Sequence, residues 1–555
     1  MAAPTGATRP RAAAGRSRPT PRHVRSLQGW RRWLTAGTIA GFAVLPAIAA
    51  LLAWRAGWQP TGDVAIIGLR SRDAWTLHPP LVGQPTTGSS YAGVSSFHPG
   101  PAEFWLLGPW VRLFGPALGM LLGTAAVNGA ALAGVMWTAF RRGGPVLLGF
   151  VAVGVAALVR SVGAGTLYDP FNSEIATYAL LLAVLSAWSV AAGDRRLLPV
   201  LAASASLAAQ THVSGAVAVA PVVGLTVGVL VVQARAGRWS PAREQRWLGA
   251  AAAVLVVAWL PVLVRELTGP SNLSALWRTS QASHPQIGWS FAFERLLGSL
   301  TLPPLFAWTP PDLVFVGTTS TLGLLVAALV AGGTAALVLV LRAEPRGRGT
   351  GFLAIAVGSV AVASAWTTAS APPFSAIRSD VTRATWVVSL LVWLTAAWAA
   401  WQLLGAERRR RAAPAVLPVA AAIALVLVLT ALATTHLEDQ RDGKVMAAID
   451  LVSRRTIDGL PDGTYLVTLD GETAVFTAGP AVALRLEDAG RTVVFGRGPF
   501  GEAYGDHRTP ADPATDGTLR ITTAARPEPQ PGERLVAEAP LPAPSADSIY
   551  VFVAP

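Results

Sequence analysis

The chain has 555 residues, 52% hydrophobic and only 14% charged, with no cysteine and a formal net charge of +13. A soluble globular protein carries roughly 25% charged residues, so a water-covered globule is excluded, as are a disulfide framework, a thiol nucleophile and a thiolate metal site. The positive charge does not point to nucleic acid, because most arginines lie in short segments between apolar runs, as the positive-inside rule describes.

Residues 1–32 are rich in Arg, Pro and Ala and lack apolar periodicity, which predicts a disordered basic tail in the cytoplasm. The run Trp33–Trp54 follows too long a polar leader for a signal peptide and is long enough to cross a bilayer, so it reads as a retained anchor. Further apolar runs lie near 116–140, 145–163, 174–193, 197–212, 213–233, 247–264, 319–341, 351–369, 384–404 and 413–435, the stretch 197–212 being short. They are continuous rather than alternating, so about eleven membrane-spanning helices are expected and a barrel is not.

The connectors Arg141–Arg142, Arg195–Arg196, Arg235–Arg246, Arg342–Arg348 and Arg408–Arg411 fall at alternate turns, which sets the N-terminus inside the cytoplasmic membrane. The connections 55–115, 265–318 and 370–383 then face outward, as does the tail, 436–555. That tail changes character. A helix over Gln440–Ile457 precedes short alternating runs at Thr464–Leu469, Arg491–Phe495, Leu519–Thr523 and Ile549–Val553, separated by Gly, Pro and Asp-Gly turns. A small α+β or β-rich extracytoplasmic domain is predicted, after a transmembrane domain over 33–435.

Polar chemistry concentrates in the outward turns. Segment 62–101 carries Asp63, Asp73, Arg70, Arg72, His78 and His98, with His98-Pro99-Gly100-Pro101 as a stretch that continues neither helix nor ladder. Ala102–Phe114 follows as an apolar, aromatic helix suited to the headgroup region. A carboxylate at Asp63 suits a general base or a divalent cation, and Arg70 and Arg72 suit a lipid phosphate. Their bland alternative is a solvated loop with arginines against anionic headgroups. The second outward turn holds Asp169, Asn172, Ser173 and Glu174, where Asn172 or Ser173 would otherwise cap the next helix. Gln210-Thr211-His212 ends a span, where polar groups need a partner or a cavity. Arg378 and Arg383 lie at 370–383, either one suited to a phosphate clamp, and Trp277, Arg278, His284, Trp289, Glu294 and Arg295 suggest a lid or acceptor groove over 265–318. No Walker A lysine, HExxH, zinc-spaced Cys/His set or regular arginine row is present.

An early Asp in the first outward loop, followed by HPGP and juxtamembrane helices, resembles the GT-C superfamily of integral-membrane glycosyltransferases. More narrowly, Asp63, Leu69, Arg70, Arg72, Asp73, Pro80, Leu81, Gly83 and His98–Pro101 resemble the pattern D…LR.RD…PL.G…HPGP of a group of actinobacterial membrane proteins, in keeping with the Ala/Arg/Pro-rich, lysine-poor usage. The motif spans about forty residues, and the fold-level likeness would cover 33–435. The resemblance implies an α-helical polytopic GT-C-like domain and a polyprenyl-phosphate sugar donor. It makes Asp63, then Asp73, the carboxylate that serves as catalytic base or metal ligand, with Asp169 or Glu174 completing the site. Donor or substrate contacts would come from Arg70, Arg72, His98, Asp169, Asn172, Glu174, His212, Arg378 and Arg383. Asp63 and Asp169 are the candidate ligands of a magnesium or manganese ion, the only cofactor implied. Several GT-C families carry a second acid beside the first. Val64 stands there in this chain, which argues against a tight metal site.

The expected activity is therefore inverting transfer of a hexosyl or pentosyl group to a glycan, lipid or protein acceptor of the cell envelope, with the bilayer and not nucleic acid as partner. The rivals are a transporter or flippase of lipid-linked precursors, which predicts charges within spans and repeated broken helices, and a non-catalytic membrane-anchored envelope protein, which predicts no convergence of the loop acids.

Overall fold

The computed structural model describes residues 29–555 except 241, 243, 301–320, 342–347, 377–381, 498 and 544, together with the side chains of 322, 348, 375–376, 435–442 and 499–500. It is a helical bundle joined to a small sheet domain. The membrane part comprises α1 (Trp30–Arg55), α2 (Gly62–Asp73), α3 (Ala102–Phe114), α4 (Pro116–Val162), α5 (Asn172–Ala191), α6 (Leu198–Thr211), α7 (Val213–Arg235), α8 (Gln245–Thr268), α9 (Asn272–Gln281), α10 (Trp289–Ser299), α11 (Thr321–Leu341), α12 (Arg348–Ser370), α13 (Arg383–Leu403) and α14 (Ala406–Gly459).

Among the described residues nine helices are long and apolar enough to cross a membrane. Two features account for the difference. In the first, α4 holds both expected spans, 116–140 and 145–163, as two helices that meet at Gly144, whose φ of 65° and ψ of −158° only glycine adopts at low cost. In the second, 197–212 is the 14-residue α6, roughly 21 Å long at 1.5 Å per residue and too short to span. It lies between α5 and α8, and its successor α7 begins directly after His212. The long helix α5 is buried along its whole length, so it forms the middle of the bundle. Valines and leucines of α8 and α14, such as Val257, Leu260, Val426 and Leu429, face outward, as lipid-facing surfaces do.

The arginine-rich connectors meet at one end of the bundle. Arg141 pairs with Asp194 at 2.6 Å, and Arg142 stacks on Trp188. Trp188 Nε1 donates to Gly349 O at 2.8 Å, and Arg195 donates to Gln233 near the end of α7. Thr350 donates to Gln402 at 3.3 Å, bringing the start of α12 to the end of α13. Alternating connectors on one face are what alternating charge demands of a bundle.

The segment read as a loop after the first span is partly helical. α2 lies across the opposite end of the bundle and continues into the C-terminal domain. α14 runs from the last span through 436 to Gly459 and contains the helix expected over 440–457. Beyond it, β1 (Thr464–Asp470), β2 (Thr492–Phe495), β3 (Gly517–Ala524), β4 (Arg534–Pro540) and β5 (Ser548–Ala554) form a mixed sheet of order β2-β1-β3-β5-β4. β1 is parallel to β2 and β3, the rest is antiparallel, and α15 (Gly479–Asp488) connects β1 to β2. Four strands match the expected runs. β4 does not: its short RLVAEAP stretch is charged and bulged between Leu535 and Ala537.

Ala65, Ile66 and Leu69 of α2 are buried in the core of the sheet domain, with Val482, Leu484, Leu519 and Ile521. Burying one such aliphatic side chain is worth about 1.5–3 kcal/mol, so α2 belongs energetically to the C-terminal domain although it precedes the bundle in sequence.

Candidate active site

Gly62 opens α2 with φ 51°, and a Cβ there would collide with the Phe476 carbonyl. Only glycine permits that close approach to the turn before α15. Asp63 follows in the first turn, where the helix dipole favours a carboxylate. It is exposed and lines a cavity of about 620 Å³ at the end of the bundle opposite the arginine connectors.

The HPGP stretch builds the next wall. The chain reverses between Gly83 and Gly100: His98 N donates to Gln84 O at 2.7 Å, and Gln84 Nε2 donates to the Asp63 carbonyl at 2.7 Å. Gly100 N donates to Gln210 O, and Asn272 of α9 exchanges hydrogen bonds with the Phe97 backbone at 2.9 and 3.1 Å. The loop thus ties α2, the end of α6 and the start of α9 together. His98, buried, and His212 face each other with ring centroids 4.5 Å apart. Burial, and secondarily the neighbouring His212, push the His98 imidazole well below the usual histidine range.

Asn172, in the first turn of α5, lines the same cavity, as do Tyr91, Thr279, His284, Trp289 and the run Thr367–Ser370. His284 is held between the carbonyls of Ala282 and Ser370 and stacks on Tyr91 at 4.2 Å. Sequence reasoning passed over Gln84, Tyr91, Thr279 and Thr367–Ser370; a run of hydroxyls at the outer end of α12 was the available signal.

The structure therefore unites Asp63, His98, Asn172 and His212 around one cavity and sends the other candidates elsewhere. Asp73 is a correction in position. It is buried beneath the sheet domain, bonded to Arg508 at 2.8 and 2.9 Å and to Arg70 at 2.7 Å, and it does not line the cavity. Its helix faces the domain core with Leu69 on the same side, so its carboxylate meets Arg508. Arg70 is engaged by that carboxylate, and Arg72 pairs with Asp488 at 2.6 Å, so neither stands at the cavity as a phosphate clamp. Glu174 and Arg383 pair with each other at 2.5 Å in the bundle interior. Asp169 accepts from Phe171 N at 2.9 Å and shapes the turn before α5, where neither Asn172 nor Ser173 supplies a side-chain cap. Burial, then the charge of Asp169, raise Glu103 of α3 well above the usual carboxylate range. Arg378 lies outside the described residues.

Arg295 of α10 donates to Thr382 at 3.3 Å, and burial together with Arg383 lowers it to about 10. One helical turn away, Ser299 and Trp386 line a second cavity of about 630 Å³ between the second half of α4, α13 and α14, walled almost entirely by apolar side chains. Among the described residues no three His, Asp or Glu side chains gather as metal ligands.

No protein-family model and no curated protein matches the sequence. Among solved structures, ArnT from Cupriavidus metallidurans in the apo state superposes with a TM-score of 0.51 at 15% identity, over 92% of this chain and 98% of that chain. At that identity the likeness is one of fold, and it spans both the bundle and the sheet domain. The chain shares the fold of that protein.

Proposed function

We propose that the protein is an inverting membrane glycosyltransferase that moves a hexosyl or pentosyl group from a polyprenyl-phosphate carrier to an extracytoplasmic cell-envelope glycan, lipid or protein. Asp63 takes the proton from the acceptor hydroxyl while that oxygen attacks the anomeric carbon. The bond from that carbon to the phosphate oxygen breaks, and the polyprenyl phosphate leaves with the electron pair. No protein nucleophile is needed, because a sugar phosphodiester is already activated.

The observation that carries this proposal is the exposed Asp63 carboxylate at a cavity whose wall combines hydrogen-bonding side chains such as Gln84, His98, Asn172 and His212 with apolar ones such as Trp289 and Phe374, on the end of the bundle away from the arginine connectors. The apolar cavity beside α13 suits an isoprenyl chain, and Arg295, one turn from Ser299 in its wall, would supply positive charge for the donor phosphate. No step is assigned to a metal ion.

The test is transfer by purified protein supplied with a panel of polyprenyl-phosphate sugars. Asp63→Asn is expected to lower the rate by about 10²–10⁴, the range for loss of a general base, with an unchanged melting curve because the side chain is exposed. Equal transfer by both proteins removes Asp63 from the role, and no transfer from any donor removes the activity.

A further inference from the structure

We infer that His98, His212 and Asn172 form the subsite for the sugar ring of the donor and recognise it through its hydroxyl groups. The inference rests on the glycosyltransferase proposed above and adds which wall of the cavity holds which part of the substrate.

Three geometric facts carry it. His98 Nδ1 accepts from the Val213 backbone N–H at 3.2 Å, so the ring proton resides on Nε2. His212, the N-cap of α7, likewise accepts from Ser214 N at 3.2 Å through Nδ1, with Ser214 Oγ at 2.6 Å, so its proton also resides on Nε2. The backbone amides that would otherwise stand open at the start of α7 thus fix both tautomers, and the wall offers imidazole N–H donors. Burial keeps His98 uncharged at neutral pH. Third, Asn172 is 4% exposed, lines the cavity, and its Oδ1 accepts no hydrogen bond from the described residues.

A buried carbonyl of this kind calls for a donor. An ionised phosphate has no proton to give it. A sugar hydroxyl accepts from an imidazole N–H and donates to Oδ1 at once. Buried polar groups that go unpaired with the wrong ligand are also what make hydroxyl recognition selective. Positive charge for the phosphate lies instead at Arg295, which neighbours Arg383, and Asn172 stands two residues from Glu174, the partner of Arg383, so the sugar wall and the phosphate wall adjoin.

The experiment measures binding of undecaprenyl phosphate, and of undecaprenyl-phosphate carrying glucose, mannose or arabinofuranose, to the full chain in detergent. His98→Asn keeps an acceptor for Val213 N–H but loses the Nε2 donor, whereas His98→Gln keeps a donor near the Nε2 position. For the sugar-bearing lipid that wild type prefers, His98→Asn and Asn172→Ala are each expected to weaken binding about tenfold, as loss of one hydrogen bond does. Sugarless lipid should bind unchanged, and His98→Gln should remain close to wild type. Parallel weakening of both lipids would assign this wall to the phosphate and overturn the inference, as would unchanged binding of both. Failure of wild type to bind any of these lipids would overturn the glycosyltransferase proposal itself. Should His98→Asn melt early, Asn172→Ala alone decides the outcome.

Discussion

Removing the Arg508 side chain tests whether the C-terminal domain holds α2, and with it Asp63, in place. Arg508 reaches both oxygens of Asp73 at 2.8 and 2.9 Å and both oxygens of Glu487 at 2.5 and 2.7 Å, and donates to Tyr504 O at 2.7 Å. Arg508 and Asp73 are 5% and 7% exposed. Taking one partner from such a buried pair costs about 3–5 kcal/mol, because the remaining charge stays buried without compensation. Arg70 remains beside Asp73 at 2.7 Å, which sets the expectation for Arg508→Ala near the lower end. For a domain of about a hundred residues, about 3 kcal/mol moves the melting midpoint by about 12 °C or more.

The assay is thermal unfolding in detergent together with limited proteolysis of the sheet domain, and transfer measured below the new midpoint. Asp73→Asn should act like Arg508→Ala: earlier melting, with transfer at low temperature kept within about tenfold. That profile differs from the one expected of Asp63→Asn, which should lose transfer without losing stability. Wild-type melting of both clasp variants would refute the clasp. Loss of transfer by Asp73→Asn with an intact melting curve would return Asp73 to the chemistry.

Two further expectations follow from the same geometry. Gly100→Ala places a Cβ against the buried Gln210 amide, itself held by a 2.8 Å bond to Ala258 O, and should cost about 1–3 kcal/mol as overpacking does, while raising KM through the displaced His98; an unperturbed melting curve and KM would show that the loop does not dock this tightly. His507 stacks on His78 at 4.6 Å, and burial, with Arg508 and Arg70 against a weaker pull from Asp73, lowers it to about 4. The unfolded chain, titrating near 6.5, then binds more protons between about pH 6.5 and pH 4. Stability of the clasp should be full above that window and fall as pH drops through it. His507→Gln should flatten that slope, and an identical slope in the variant would exonerate this histidine.

Much of the bundle was legible in the residues. Apolar runs near twenty residues long, and arginines at every second turn, follow from the cost of exposing backbone and charge to lipid, and that cost acts locally on each segment. Hence α1, α5, α7, α8, α12 and α13 fall close to where the sequence places them, and the connectors gather at one end. The strands β1, β2, β3 and β5 were readable for a similar reason, since alternation records which face is buried. The α6 run was apolar enough to resemble a span and already short in the sequence, and the structure makes it a 14-residue helix that His212 ends.

Side-chain pairing was not legible, because it joins residues far apart in the chain. Asp63 and Asp73 look alike in sequence, ten positions apart on one segment. The sheet domain, more than four hundred residues later, separates them: Arg508 claims Asp73, while Asp63, in the first turn of the same helix, faces the cavity. The same holds for Glu174 with Arg383 and Arg72 with Asp488. Charges marked the functional end of the molecule from sequence alone, because hydrophobic matching is local. Which of them remain available to a substrate is a long-range electrostatic outcome, and only the tertiary structure decided it.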